Sequence, residues 1–262
     1  MDEDLLDLES RKNKAPGGYS LGLHIAHRPF IFINNTHTPW DVQTMLHEGG
    51  HAFHEFERAH VHFYQRGENY LPAEFAEVAS MSMELLASPY TTKERGGFYT
   101  DSEAARALIE ALELNLTVWP YIALVDAFQH WIYENPGQSS NASKCETKWG
   151  ELWDRFMIGI DYSGLEAEKQ TYWHRQLHIF QSPFYYIEYG LALLGAIQVW
   201  GNARKDQRQA VADYRRALSL GATVSLPQLF AAAGARFAFD AKTLKDAVEL
   251  METVISEMEA KL

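Results

Sequence analysis

The string His47-Glu48-Gly49-Gly50-His51 restricts this chain more than any other stretch, because it acquires a meaning only on a helix. At 3.6 residues per turn, positions four apart stack one above the other. His47 and His51 then present two imidazole nitrogens to one point while Glu48 projects beside them. This is the H-E-x-x-H pattern, in which the imidazoles bind a metal ion, zinc above all, and the glutamate stays off the metal as a base.

The flanking residues support a helix. Thr38-Pro39-Trp40-Asp41 supplies an N-cap hydroxyl, a proline at the first helical position and an acid at the third, so a helix is predicted from 41 to about 62. Met45, Leu46, Ala52, Phe53 and Phe56 give it apolar faces. Gly49 and Gly50 each cost it ~1 kcal/mol relative to alanine, and that cost implies the close approach of another backbone or of a ligand.

A catalytic zinc takes three protein ligands and keeps one position open. The longer motif H-E-x-x-H-x-x-G-x-x-H would supply the third locally, but here His54 stands at the glycine position and Glu57 at the last histidine. A second helix is predicted after Pro72 and before Pro89, and on it Glu74, Glu77, Met81 and Glu84 fall within about 80° of one another. A solvated face could also collect three glutamates. Beside two histidines, Glu77 is assigned as the third ligand, Glu84 as acceptor for the second ring N–H of a ligating histidine, and Glu74 as a further supporting acid. His54, seven residues after His47, is read as a supporting or packing residue. His60 and His62 suit the negative end of the helix dipole.

Phe30-Ile31-Phe32-Ile33, after Pro29 and before Asn34-Asn35, reads as a short strand. Most of the rest has helical period: 102–119, 121–134, 148–157, 164–180, 183–200, 205–219 and 240–262, with breaks at Asn135-Pro136-Gly137 and Gly221. Without repeats or linkers, the economical architecture is one mainly α domain over 1–262 with a small β element near 20–35. A hydrophobic content of 47% over 262 residues suffices for a core.

A net charge of −12 argues against a nucleic-acid surface, and Arg11, Lys12 and Lys14 read as a solvated turn. The single Cys145 excludes an internal disulfide and fits a reducing compartment. The acidic start Met1-Asp2-Glu3-Asp4 is unlike a signal peptide, and the apolar run at 191–199 is too short to span a bilayer. A cytoplasmic protein with neither nucleic-acid nor membrane partners is expected.

Four blocks in order resemble the M3 family of zinc peptidases, in its oligoendopeptidase F branch. They are Ala15-Pro16-Gly17-Gly18-Tyr19-Ser20, the stretch from His47 to His54, the stretch from Glu74 to Glu84, and His178-Ile179-Phe180 followed by Ser182-Pro183-Phe184-Tyr185-Tyr186-Ile187-Glu188-Tyr189. The resemblance implies a zincin-type metallopeptidase catalytic domain, one Zn2+ per chain and hydrolysis of oligopeptides. It spans nearly all of this chain but only the C-terminal portion of the family's usual protein, whose helical N-terminal region forms the other wall of a deep channel. Leaving out a packed half exposes apolar surface, so self-association into a homo-oligomer is expected.

In such an enzyme Glu48 is the general base. The late block implies His178, Tyr186 and Tyr189 as donors to the oxyanion, a contribution of about 3 kcal/mol per donor. Ser182-Pro183 reads as the cap and first position of the helix carrying the two tyrosines. Phe30 and Phe32 would bind peptide backbone by strand addition if their strand is an edge, and periodicity alone does not separate that from a buried strand. Gly17-Gly18-Tyr19 is either a loop over substrate or a plain turn. The alternative to an enzyme is a catalytically weak peptide-binding or regulatory module that keeps its zinc structurally. A closed structural site would need a fourth ligand and would leave Glu48 without a task.

Overall fold

A computed structural model describes residues 5–262 except His24, His27 and 67–70. The chain is mostly helical, with a small three-stranded sheet near the N-terminus. Its contacts divide it into two compact units, Met1–Glu110 with Leu191–Leu262, and Ala111–Gly190.

In the first unit, strands β1 (Leu6–Glu9), β2 (Tyr19–Leu23) and β3 (Arg28–Asn35) form a sheet in the order β1-β3-β2. β1 runs parallel to β3 with Leu6 opposite Ile31, and β2 runs antiparallel to it with Tyr19 opposite Phe32. The run around Phe30 is therefore the central strand, which corrects the expectation of an edge. Both of its sides are already paired, so Phe30 and Phe32 cannot add a peptide strand. β1 is too short and mixed in polarity to announce itself. Lys14 also departs from expectation. Its side chain is buried, with Nζ 3.0 Å from Asp7 Oδ1 and 4.4 Å above the Phe32 ring.

Helix α1 (Pro39–Glu57) starts where Pro39 and Asp41 require, the Asp41 carboxylate accepting the N–H groups of Thr36 and Thr38. It stops five residues before the expected end, and a short α2 (Phe63–Arg66) follows. α3 (Ala73–Ala87) begins directly after Pro72. The two glycines of α1 part ways here. A Cβ on Gly50 would lie 2.6 Å from Ser80 Cα and 2.8 Å from the Ala79 carbonyl, whereas one on Gly49 would meet nothing within 4 Å. Gly50 thus permits α1 and α3 to touch backbone to backbone. Behind them, Phe75, Val78 and Leu86 pack with residues of α10 (Gln207–Ser219) and α11 (Leu226–Ala232), among them Tyr214, Leu218 and Phe230. The Tyr214 hydroxyl donates to the Ala79 carbonyl at 2.7 Å, and α12 (Ala241–Glu259) closes the chain.

The expected break at Pro120 does not occur. α4 (Asp101–Glu134) passes through it as one helix. Proline deprives the Leu116 carbonyl of its partner at a cost of ~3 kcal/mol. Burial of Leu112, Ile122, Leu124 and Val125 on both sides offsets this. α4, and not 191–199, is the nearest match to a membrane-spanning helix. Among the described residues it is the helix long and apolar enough to cross a membrane by length and composition, with a window of mean hydropathy 1.4 that is 22% buried.

The second unit contains α5 (Pro136–Ser139), α6 (Ala142–Phe156), α7 (Glu166–Thr171), α8 (Leu177–Gln181) and the start of α9 (Tyr186–Ala203). α6 begins six residues before the expected start, where the Asn141 side chain accepts the Lys144 N–H. The predicted helix over 164–180 is instead α7, a 3-10 turn at Tyr172–Arg175 and α8. The breaks turn Tyr172 and Trp173 into an aromatic core with Tyr121, Phe128, Trp149 and Trp153. α9 starts at Tyr186 and not at Pro183. Phe184 takes a left-handed φ of 62°, its ring 5.0 Å from that of His130 and 5.2 Å from that of Tyr133. Aromatic packing holds that unfavourable backbone.

Candidate metal centre

One turn apart on α1, the His47 and His51 rings meet edge to face with centroids 5.1 Å apart. From α3, Glu77 Oε2 lies 3.4 Å from His47 Nε2 and 3.7 Å from His51 Nε2. One ligand atom from each of the three falls within 4.8 Å of the others. Donors bound at about 2.1 Å around a tetrahedral zinc are roughly 3.4 Å apart, so this donor set fits the ion in both chemistry and spacing. The sequence assignment of Glu77 rested on helical phase and on the need of the two histidines for a third ligand, and the close contact of α1 with α3 at Gly50 is what brings it opposite them.

The surrounding contacts orient the group. Glu84 Oε1 stands 2.8 Å from His47 Nδ1. A proton held at Nδ1 would leave the Nε2 lone pair for a metal ion, in whose place Nε2 faces the Glu77 carboxylate. The Ser80 hydroxyl donates to Glu77 Oε2 at 3.0 Å. Burial works against a charge on His47, yet the Glu77 and Glu84 carboxylates outweigh it and raise its pKa. Burial likewise opposes charge on Glu77, and the hydrogen bond with His47, the His51 and His47 imidazoles and the Ser80 hydroxyl together outweigh it and lower that pKa. His51, shielded mainly by burial, is pushed down to about 4 and is a neutral imidazole at pH 7.

Glu48 is different from the other acids. It is buried, and its Oε2 has no hydrogen-bond partner among the described residues. Burial raises its pKa to about 7, with His47 pulling down and Glu77 and Glu84 pushing up. A group that titrates near neutrality without a committed partner is suited to accept and return a proton. Gly18 stands against it, since a Cβ there would be 3.3 Å from Glu48 Oε1, and Gly17 makes the turn with φ 97°. Tyr19 stacks on Phe32 with centroids 4.8 Å apart. His54 is buried edge-on against Phe75 at 6.1 Å, and its pKa is driven far down by burial. It lies outside the group of mutually close ligand atoms, as does Glu74.

The second unit assembles its own cluster. His178 lies with ring centroids 5.0 Å from Tyr186 and 5.7 Å from Tyr189, and its Nε2 is 3.5 Å from the Tyr189 hydroxyl. Burial lowers the His178 pKa and raises that of Tyr186. Two members escaped the sequence reading. Tyr185 stacks on His178 at 6.0 Å, and Gln176 reaches His178 Nδ1 at 2.6 Å. Tyr185 adjoins a residue already singled out, but Gln176 carries no motif or periodic signal.

The sequence model of peptidase family M3 matches residues 1–249. The chain belongs to peptidase family M3. Among solved structures, this M3 chain is 31% identical to PZ peptidase A crystallised with an inhibitor, with a TM-score of 0.86 over 98% of this chain and 44% of that one. A protein assigned as oligoendopeptidase F is 32% identical, with a TM-score of 0.84 over 97% of this chain and 44% of that one. Another so assigned, from Bacillus anthracis, is 30% identical with a TM-score of 0.81 over 100% of this chain and 42% of that one. The chain spans less than half the length of each. No curated protein matches it significantly.

Proposed function

We propose that this M3 chain is a zinc metalloendopeptidase acting on oligopeptides, with His47, His51 and Glu77 as metal ligands and Glu48 as general base. The observation that carries the reading is the convergence of three donors at 3.4 and 3.7 Å beside a buried carboxylate oxygen without a partner. When bound, zinc lowers the pKa of water to roughly 7 and polarises a peptide carbonyl. Glu48 takes the proton of the attacking water and returns it to the departing amine, so that the carboxylate is regenerated each turnover. Glu84 and Ser80 keep His47 and Glu77 in orientation. Gly18 borders Glu48, and the absence of a side chain there leaves room beside its carboxylate, with Gly17 and Tyr19 flanking it in the segment assigned to substrate. For His178, Tyr186 and Tyr189 the resemblance of their block to the M3 family, and not a geometry joining the two units, is what assigns them as hydrogen-bond donors to the substrate oxygen as it gains charge.

The names of the relatives, a PZ peptidase and oligoendopeptidases F, support a peptide substrate. The test is hydrolysis of a quenched fluorescent peptide library by zinc-loaded protein and by Glu48→Gln, with metal content measured in both. Retained zinc and lost turnover in the variant support the enzyme. Zinc-loaded wild type that cleaves nothing replaces the proposal with a peptide-binding module.

A further inference from the structure

Three hydrogen-bond contacts in the second unit form a line from Tyr121 through Gln176 and His178 to Tyr189. The Tyr121 hydroxyl is 3.0 Å from Gln176 Oε1, Gln176 Nε2 is 2.6 Å from His178 Nδ1, and His178 Nε2 is 3.5 Å from the Tyr189 hydroxyl. An amide side chain and an imidazole can each be turned two ways, and the Tyr121 hydroxyl decides between them. Gln176 Oε1 is the acceptor that phenol has among the described residues, so the phenol donates and the amide oxygen is taken. The amide N–H2 is left facing His178 and can only donate. Nδ1 must accept, which puts the single proton of the neutral ring on Nε2.

We propose that Gln176 is a positioning residue that fixes His178 as the Nε2–H tautomer, and that Tyr121 in turn orients Gln176. An imidazole protonated at Nε2 donates from that nitrogen, and one protonated at Nδ1 accepts there. The relay therefore sets whether His178 can donate toward an electron-rich oxygen at all. The Nε2 contact to Tyr189, at 3.5 Å, is long for an N–H···O bond and leaves donor capacity for a ligand. The functional consequence rests on the donor role assigned to His178 above, whereas the tautomer is a property of the chain itself.

The experiment is two-bond 1H–15N correlation NMR of the full chain with 15N-labelled histidine at neutral pH, His178 being assigned by its loss in His178→Ala. The wild type is expected to show a pyrrole-like Nε2 and a pyridine-like Nδ1. Gln176→Glu, which keeps the shape but presents only acceptors, is expected to move the proton to Nδ1. Tyr121→Phe, remote from the ring, is expected to give a mixture of both tautomers. In peptide hydrolysis Gln176→Glu is expected to lower kcat about 100-fold with little change in KM. A wild-type ring protonated at Nδ1, or a Gln176→Glu spectrum unchanged from wild type, overturns the proposal. Retained tautomer shifts in a protein that hydrolyses no peptide would support the relay while removing the peptidase reading, so the two failures are separable.

Discussion

The two candidate clusters of this chain are built on opposite physical terms. The centre on α1 and α3 gathers carboxylates and imidazoles whose charges are strongly coupled, at positions dictated by the helical repeat. The cluster around His178 is formed by neutral donors and acceptors on broken helices and turns, embedded in aromatic rings. In the first, charge selects the ligand and the helix supplies the spacing. In the second, tautomer and amide orientation supply the chemistry, and irregular backbone supplies the spacing. A charged site tolerates little loss of a partner, while a neutral relay responds in degree.

That contrast sets the order of expected effects. Glu77→Ala is expected to abolish stoichiometric zinc binding, read by metal analysis after dialysis, along with all turnover; full zinc occupancy in the variant would remove Glu77 from the ligand set. Glu48→Gln is expected to keep the metal and to lower kcat by about 10³-fold, within the range for a general base. His178→Ala is expected to cost about 10²-fold in kcat with unchanged zinc content, and a loss of zinc would erase the distinction between the two clusters. Glu84→Gln, which keeps size but weakens the hold on His47 Nδ1, is expected to reduce zinc affinity 10- to 100-fold in a competition titration against a chelator.

The smallest effect sharpens the comparison within one helix. Gly50→Ala is expected to destabilise the protein by about 1–3 kcal/mol in denaturant unfolding, because its methyl would run into the Ser80 backbone. Gly49→Ala, in open space, is expected to stabilise by up to about 1 kcal/mol. Equal effects at the two positions would contradict the close approach of α1 and α3.

The candidate metal centre was largely legible because its information is local. His47, Glu48 and His51 sit within five residues, and Glu77 and Glu84 share a helix face, so one repeat of 3.6 is enough to find them. Glu74 shares that face as well and, like Glu84, is not among the three residues whose ligand atoms lie close together, so phase alone does not say which acid is the ligand. Elsewhere the local rules were overridden by burial. Pro120 did not end α4, and Phe184 adopted a left-handed φ for the sake of its ring contacts. Lys14 was drawn from a presumed solvated turn into the sheet.

What sequence alone determined is the set of groups that can bind a metal and move a proton, for these follow from residue type and helical period. The tertiary structure decided which of them meet. Backbone contact at Gly50 selects Glu77 and Glu84, the pairing of β3 on both sides denies it a peptide, and the fold of residues 111–190 brings Gln176 and Tyr121 to His178. Such choices depend on side chains packed from distant parts of the chain, and no short-range pattern encodes them.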